Sequence, residues 1–371
     1  MAEDLAALIA RYDGGRPLEE AETLPAGFYT DPRVFDLERR TTFSANWQLV
    51  ARADQVAAPG RYVTGEVAGE PVLVVRGADG VLRGFFNVCR HHAAAVMTEA
   101  EGSAQHLRCP YHGWTYALDG ALRGTPDFGG VCHFEKGENG LRPVDLDEWE
   151  GFVFVRLERG GPGVREQLGG ALVAEIAALG LGQLAFVERR RYLLDCNWKV
   201  FVDNYLDGGY HVPHLHRGLD SVLDYSAYLI ENGPRHCLQS SPLVAGDQPE
   251  VSAVRQGDRA RYYWLHPNTM INCYQGMMDV NLVRPLALDR TEVLFDFYFA
   301  DVGDAEARAR CRASIEVSQR IQEEDVAICA SVQRGLRSRA YDTGRLSVRR
   351  EAGEHLFHRL LAAELAAGLR P

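Results

Sequence analysis

Phe86-Asn87-Val88-Cys89-Arg90-His91 supplies a Cys-x-His pair, and after seventeen intervening residues comes Cys109-Pro110-Tyr111-His112, a Cys-x-x-His pair. Each pair follows a stretch patterned as a strand, so two neighbouring turns could each present one thiolate and one imidazole. The surrounding sequence has one texture from about Trp47 to Leu157: short alternating runs separated by glycine-containing turns. Arg61–Val67, Val72–Arg76 and Leu82–Val88 read as strands, with Ala78-Asp79-Gly80 turning between the last two, and Gly151–Leu157 closes the series. The reading is an all-β domain over residues 47–158.

Thiolates hold soft, electron-rich iron, and two neutral imidazoles on one iron raise its potential. Cys89, His91, Cys109 and His112 therefore match the donor set expected of a Rieske 2Fe–2S centre. A structural Cys2His2 zinc site is the alternative, although a single-residue spacer is tighter than zinc pairs usually have. A set of residues that binds no metal is the third reading.

Outward from this domain the patterning changes. Asp31 before Pro32 marks a helix start, and that helix is expected to run to about Asn46. Gly160-Gly161-Pro162-Gly163 reads as the linker. Beyond it, Leu184–Leu194 and the run from about Arg261 to Ala300 look like strands without intervening helices, so they should pair antiparallel. Helices are expected from Asn197 to about Tyr210, from Ala305 to Leu336, and after Gly353. The fold class is α+β, with an antiparallel sheet wrapped on long helices over residues 159–371.

Composition narrows the function. The 371 residues are 46% hydrophobic and 25% charged, which excludes a disordered chain, and a net charge of −11 argues against broad nucleic-acid binding. No apolar run reaches the length of a membrane span, and Glu3 and Asp4 precede a short apolar stretch where a signal peptide would be basic. The eight cysteines are then expected to be reduced thiols in a cytoplasmic protein.

A second constellation begins at Asn197-Trp198-Lys199 and ends at His211-Val212-Pro213-His214-Leu215-His216. Pro213 is expected to break the helix, and Gly208-Gly209 to loosen the turn before it. Histidine pairs alone are weak signals, and a solvated helix end is the plain reading. Ferrous oxygenases, however, use two histidines and one carboxylate on one face of the metal. Within Ile321-Gln322-Glu323-Glu324-Asp325-Val326-Ala327-Ile328-Cys329, Asp325 has Ile321, Ile328 and Cys329 at helical offsets, and Val332 one turn on. An unpaired carboxylate on so apolar a stripe would be costly unless a cation compensated it. Asp325 is thus the third candidate ligand, and Glu323 and Glu324 are expected to be solvated.

These motifs, in this order along the whole chain, resemble the catalytic alpha subunit of Rieske non-haem iron oxygenases. Asp203-Asn204-Tyr205-Leu206-Asp207-Gly208-Gly209-Tyr210-His211-Val212-Pro213, Pro267-Asn268-Thr269-Met270-Ile271-Asn272 and Ser331-Val332-Gln333-Arg334-Gly335-Leu336 are similar to the plant choline monooxygenase branch. The resemblance implies a Rieske domain inserted before a helix-grip catalytic domain, with residues 1–46 packing on the latter, and a homotrimer. It implies a 2Fe–2S cluster on Cys89, His91, Cys109 and His112, and Fe(II) on His211, His216 and Asp325, with His214 a neighbour. Plant members carry a transit peptide, and none is read here. One position departs from the family: where ring-hydroxylating relatives place a carboxylate that links the two metals across a subunit interface, this chain has Gly208. Asp207 is the nominee for that bridge and Asp203 the second.

The activity implied by the resemblance is that of a terminal oxygenase using O2 and electrons from NAD(P)H, delivered by a ferredoxin or flavin reductase. The branch implies hydroxylation beside a quaternary nitrogen, in the manner of choline monooxygenase or of a betaine N-demethylase. An aromatic or alicyclic ring hydroxylase is the alternative, and a Rieske electron carrier without oxygenase activity is the alternative of a different class. Iron at about three per chain would indicate the oxygenase, and about two the carrier. A cation would be met by aromatic faces, for which Tyr262, Tyr263, Trp264, Tyr274, Phe295, Phe297, Tyr298 and Phe299 are candidates, although the alternating phenylalanines also fit a core stripe. Asp296 and Tyr298 share the opposite face. Arg189-Arg190-Arg191 and Arg334, Arg337 and Arg339 are candidate basic patches for an acidic donor. His355 and His358 read as structural, and Cys132, Cys196, Cys237, Cys273, Cys311 and Cys329 as buried thiols.

Overall fold

The computed structural model describes residues 3–370. Residues up to Thr42 join those from Leu168 onward in one compact unit, and Phe43–Gln167 form a second.

In the smaller unit a seven-stranded antiparallel sheet runs in the order Gln48–Arg52, Phe152–Arg156, Pro143–Trp149, Leu82–Phe86, Glu70–Arg76, Arg61–Val67, Glu101–Ser103. A three-stranded sheet of Leu107–Arg108, Thr115–Tyr116 and Leu122–Gly124 carries the second Cys/His turn. The glycine-rich stretch after Leu157 is tied down and does not act as a free linker. The Trp47 indole and the Arg156 guanidinium both donate to the Pro162 carbonyl at 3.0 Å, and Gly160 N–H donates to Asp145 at 2.8 Å. The changeover therefore comes later than residue 158.

In the larger unit seven antiparallel strands follow the order Ala185–Leu194, Arg290–Phe299, Met277–Ala287, Thr269–Tyr274, Arg259–Leu265, His236–Pro242, Leu229–Asn232. The last two were not foreseen in the sequence. The register lines up Gln239, Tyr262, Asn272, Asp279 and Phe297 across five strands. Directly opposed residues share a face, so one row of side chains from scattered sequence positions reaches one surface.

The helix after Pro32 stops at Arg40, and Thr42–Ala45 is a separate turn, so the expected run to Asn46 is divided. The helix Trp198–Leu206, capped by the Asn197 side chain accepting from Lys199 N–H, ends short of Tyr210 at Gly208-Gly209. Both glycines hold φ near +66° to +68°, a region that costs other residues dearly. Pro213 does not break a helix. It sits in the first turn of a short one, Val212–Leu215, where the missing N–H is harmless. Lys199, fully buried, reaches Glu38 of the Pro32–Arg40 helix at 2.6 Å, and the Trp198 indole donates to the other Glu38 oxygen at 2.8 Å.

The long helix spans Ala305–Leu336, and its buried face carries Cys311, Ser314, Ser318, Gln322, Asp325 and Cys329. Ile328 and Val332, expected beside Asp325 on an apolar stripe, are half exposed. The buried face also carries Ala307, Ile315, Val317 and Leu336, and it turns polar at Ser318, Gln322 and Asp325, where the helix borders a cavity. Among the described residues, no helix is long and apolar enough to cross a membrane.

Candidate metal centres and substrate cavity

The two Cys/His turns are built from the same tight loop. Cys89 C=O accepts from Ala93 N–H and Cys109 C=O from Gly113 N–H, which presents both thiols inward, buried. The His91 and His112 rings lie 4.7 Å apart, and His91 stacks on Trp114 at 4.7 Å with ring planes within 5°. Tyr116, fully buried, accepts from Arg90 N–H at 3.0 Å, which leaves its own proton for Cys89 Sγ at 3.4 Å. Desolvation and the neighbouring His92 and His112 hold His91 below the usual imidazole range. Burial and Cys89 push the Cys109 thiol up. Among the described residues His91 Nδ1 is buried with no hydrogen-bond partner, which fits a nitrogen that can serve as a metal ligand: the ligand forms are neutral imidazole and thiolate.

In the larger unit His211, His216 and Asp325 bring one donor atom each to within 4.8 Å of one another. His216 Nε2 is 3.1 Å and His211 Nε2 3.8 Å from Asp325 Oδ1, which also accepts from the Asn204 amide at 2.9 Å. The outer nitrogens are both engaged: His211 Nδ1 by Asp207 at 2.6 Å and His216 Nδ1 by Glu324 at 2.6 Å. A carboxylate on the outer nitrogen fixes the ring and turns the other nitrogen to the metal. Burial opposes charging of His216, but Asp325 and Glu324 outweigh it and raise its pKa. Surroundings that favour positive charge at this point also favour a bound cation, so the donor set fits a ferrous ion with open positions.

Asp207 sits beside this centre and Asp203 does not. Asp203 instead accepts from Tyr29 at 2.6 Å and meets the fully buried His358 at 3.0 Å, with Glu354 alongside. Burial first, then Asp203, pushes Glu354 well above the usual carboxylate range. His214 points outward, exposed.

The His211–His216–Asp325 centre borders a cavity walled by the sheet and the long helix. Of the aromatic residues nominated from the sequence, Tyr262, Tyr274 and Phe295 line it, joined by Tyr205 and Tyr228. Asp279 lines it too, fully desolvated, with its Oδ2 accepting from Asn272 at 2.7 Å and Asn281 at 2.8 Å. Burial raises the Asp279 pKa, while the two amides and the charge of Arg255 oppose the rise. Tyr263 faces away and donates to Glu175, and Asp296 pairs with Arg189 at 2.5 Å.

The residues matched by family models decide the family: 181–367 match the ring hydroxylating alpha subunit (catalytic domain) and 46–135 the Rieske 2Fe-2S domain. The chain belongs to the Rieske oxygenase alpha subunits. It is 38% identical to a chloroplastic choline monooxygenase of Arabidopsis thaliana, over 96% of this chain and 86% of that one. It is 34% identical to the carnitine monooxygenase oxygenase subunit of Escherichia coli, over 93% and 94%. The crystal structure of the quaternary ammonium Rieske monooxygenase CntA with L-carnitine superposes with a TM-score of 0.81 at 29% identity, covering 98% of this chain and 99% of that one. Naphthalene 1,2-dioxygenase from Rhodococcus shares the fold at a TM-score of 0.78 and 22% identity, with 94% and 95% covered.

As a Rieske oxygenase the protein is an oxidoreductase, and the carrier without oxygenase chemistry is set aside by its catalytic domain. When bound, the cluster and the iron supply one-electron transfer and oxygen activation. The residues of this Rieske oxygenase that sequence reasoning missed are Glu324, Asn204, Asp279 and Tyr116. Glu324 was expected to be solvated; it is exposed, yet its carboxylate still reaches His216. The triple arginine offers little free charge, since Arg190 pairs with Glu188 and Glu316, and Arg191 with Glu292. Cys132 is exposed, unlike the other five thiols grouped with it.

Proposed function

We propose that this terminal oxygenase hydroxylates a C–H bond beside a quaternary nitrogen. The observation that carries the reading is Asp279, a buried carboxylate among Tyr205, Tyr228, Tyr262 and Tyr274 on the wall of the cavity that His211, His216 and Asp325 border. A trimethylammonium group cannot donate hydrogen bonds, so aromatic faces and one buried negative charge are what recognise it. The named activities of the choline and carnitine monooxygenases support the same reading.

One atom of dioxygen enters the C–H bond and the other leaves as water, with two electrons and two protons drawn from a reductase and solvent. Attack on a carbinol carbon gives an aldehyde hydrate; attack on an N-methyl group gives a hemiaminal that releases formaldehyde. Asp207 orients His211 and is the residue through which electrons would reach it from a cluster histidine of a neighbouring subunit in a trimer. Inter-subunit electron transfer is described for the quaternary ammonium monooxygenase that this chain resembles.

The test is oxygen consumption by reduced, iron-loaded protein with trimethylammonium compounds and, separately, aromatic acids. Turnover of the ammonium compounds is expected, with formaldehyde marking demethylation. Turnover of aromatic acids alone would overturn the proposal in favour of a ring hydroxylase.

A further inference from the structure

Asp203, Glu354 and His358 bring one donor atom each to within 4.8 Å of one another, as close as the donors of the iron centre, and none of them belongs to that centre. Successive residues of a helix point about 100° apart. The helix Trp198–Leu206 thereby turns Asn204 to Asp325 and Asp203 to the C-terminal helix Ala352–Gly368. On that helix Glu354 and His358 are one turn apart and share a face. From the sequence alone His358 lacks a companion ligand; Asp203, 155 positions away in the chain, provides it.

The charges in this cluster do not balance. Among the described residues no lysine or arginine pairs with Asp203 or Glu354, and both carboxylates face the fully buried His358. Asp203 is supported by hydrogen bonds: Oδ2 accepts from the Tyr29 hydroxyl at 2.6 Å, and Oδ1 lies 3.0 Å from His358 Nε2. Glu354, 7% exposed, has no such support. It makes no hydrogen bond among the described residues, and its Oε1 lies 3.7 Å from His358 Nε2, beyond hydrogen-bond reach. Charged, this carboxyl lacks a donor; protonated, it lacks an acceptor. Burial in that state is costly unless a cation compensates it.

The spacing suits a small divalent ion. Zinc holds nitrogen and oxygen donors at about 2.0–2.2 Å in a tetrahedron, which sets them about 3.4 Å apart. The two carboxylate distances from His358 Nε2, 3.0 and 3.7 Å, bracket that separation. The Tyr29 hydroxyl, 3.4 Å from the same nitrogen, stands at the spacing of a fourth ligand.

We propose that Asp203, Glu354 and His358 hold a zinc ion, separate from the iron, which clamps the C-terminal helix to the helix that precedes Asp207. One imidazole and two carboxylates are donors that zinc takes. Its role is to hold the fold, and it is independent of the substrate.

The experiment is elemental analysis of cluster- and iron-loaded protein, gel-filtered after incubation with zinc chloride. One zinc per chain is expected in addition to an unchanged iron content, with a Tm that rises with zinc concentration. Glu354→Gln keeps the side chain's size and removes its charge. It should lose the zinc and the Tm response, while iron content and the cluster spectrum stay as in the wild type. Asp203→Asn should behave alike. Zinc taken up only as iron is lost would place it at His211, His216 and Asp325 and overturn the proposal. So would a wild-type protein that binds no zinc, a result that needs no variant to fold. Zinc retained in Glu354→Gln and Asp203→Asn would place it elsewhere and overturn the proposal as well.

Discussion

A single oxygen of Asp207, Oδ2, meets His211 twice: it accepts from the backbone N–H at 3.0 Å and lies 2.6 Å from ring Nδ1. The ring is thus fixed by a residue of its own turn, with Nε2 left to the metal. Replacing Asp207 by alanine should leave the cluster spectrum unchanged and lower activity by about 10- to 100-fold, the usual effect of losing an outer-sphere partner. Rapid-mixing spectroscopy should place the loss in electron transfer to the iron. Normal cluster-to-iron transfer would refute the assignment.

Gly208 cannot take over this role. A Cβ there would lie 2.0 Å from the Arg350 carbonyl oxygen, at a φ of +66°. Gly208→Glu should therefore fail to restore an Asp207→Ala variant, and should lower Tm on its own. Rescue of turnover by the double variant would contradict that.

Glu324 holds His216 as Asp207 holds His211, but from an exposed position. Solvent screening weakens such a contact. Glu324→Ala should lower turnover of the iron-loaded protein less than Asp207→Ala does, and an equal or larger loss would show that the exposed contact holds His216 as firmly.

At the cluster site, Tyr116→Phe removes the hydroxyl that points to Cys89 Sγ. A sulfur without that donor is more electron-rich, so the oxidised cluster gains stability and the potential falls. For a hydrogen bond worth about 1 kcal/mol the drop is about 40 mV, read by redox titration. An unchanged or higher potential would show that the hydroxyl donates elsewhere.

Glu38 and Lys199 are each fully buried, and desolvation raises the pKa of one and lowers that of the other. Glu38→Gln alone strands a buried ammonium and should cost about 3–5 kcal/mol in chemical denaturation. Replacing both residues with methionine should recover most of that loss.

Much was legible in the chain because ligand spacing and helical period are local. Cys89, His91, Cys109 and His112 stand in turns that short-range hydrogen bonds define. The long helix runs over Ala305–Leu336 as its pattern predicts, with Asp304 accepting from Ala307 N–H at 2.7 Å. The errors were equally specific. Ile328 and Val332 were placed on the buried face because apolar residues were expected there, whereas a cavity wall selects Ser318 and Gln322.

The sequence by itself determined which donors exist and how each short segment presents them, since thiolate and imidazole chemistry and turn geometry act over a few residues. Only the tertiary structure decided what lies beside them. Strand register carried Asp279 and Tyr262 to one wall, a two-glycine turn aimed Asp207 at His211, and packing against the long helix brought Arg255 to the cavity. Those juxtapositions arise from pairings distant in sequence, which no local pattern encodes.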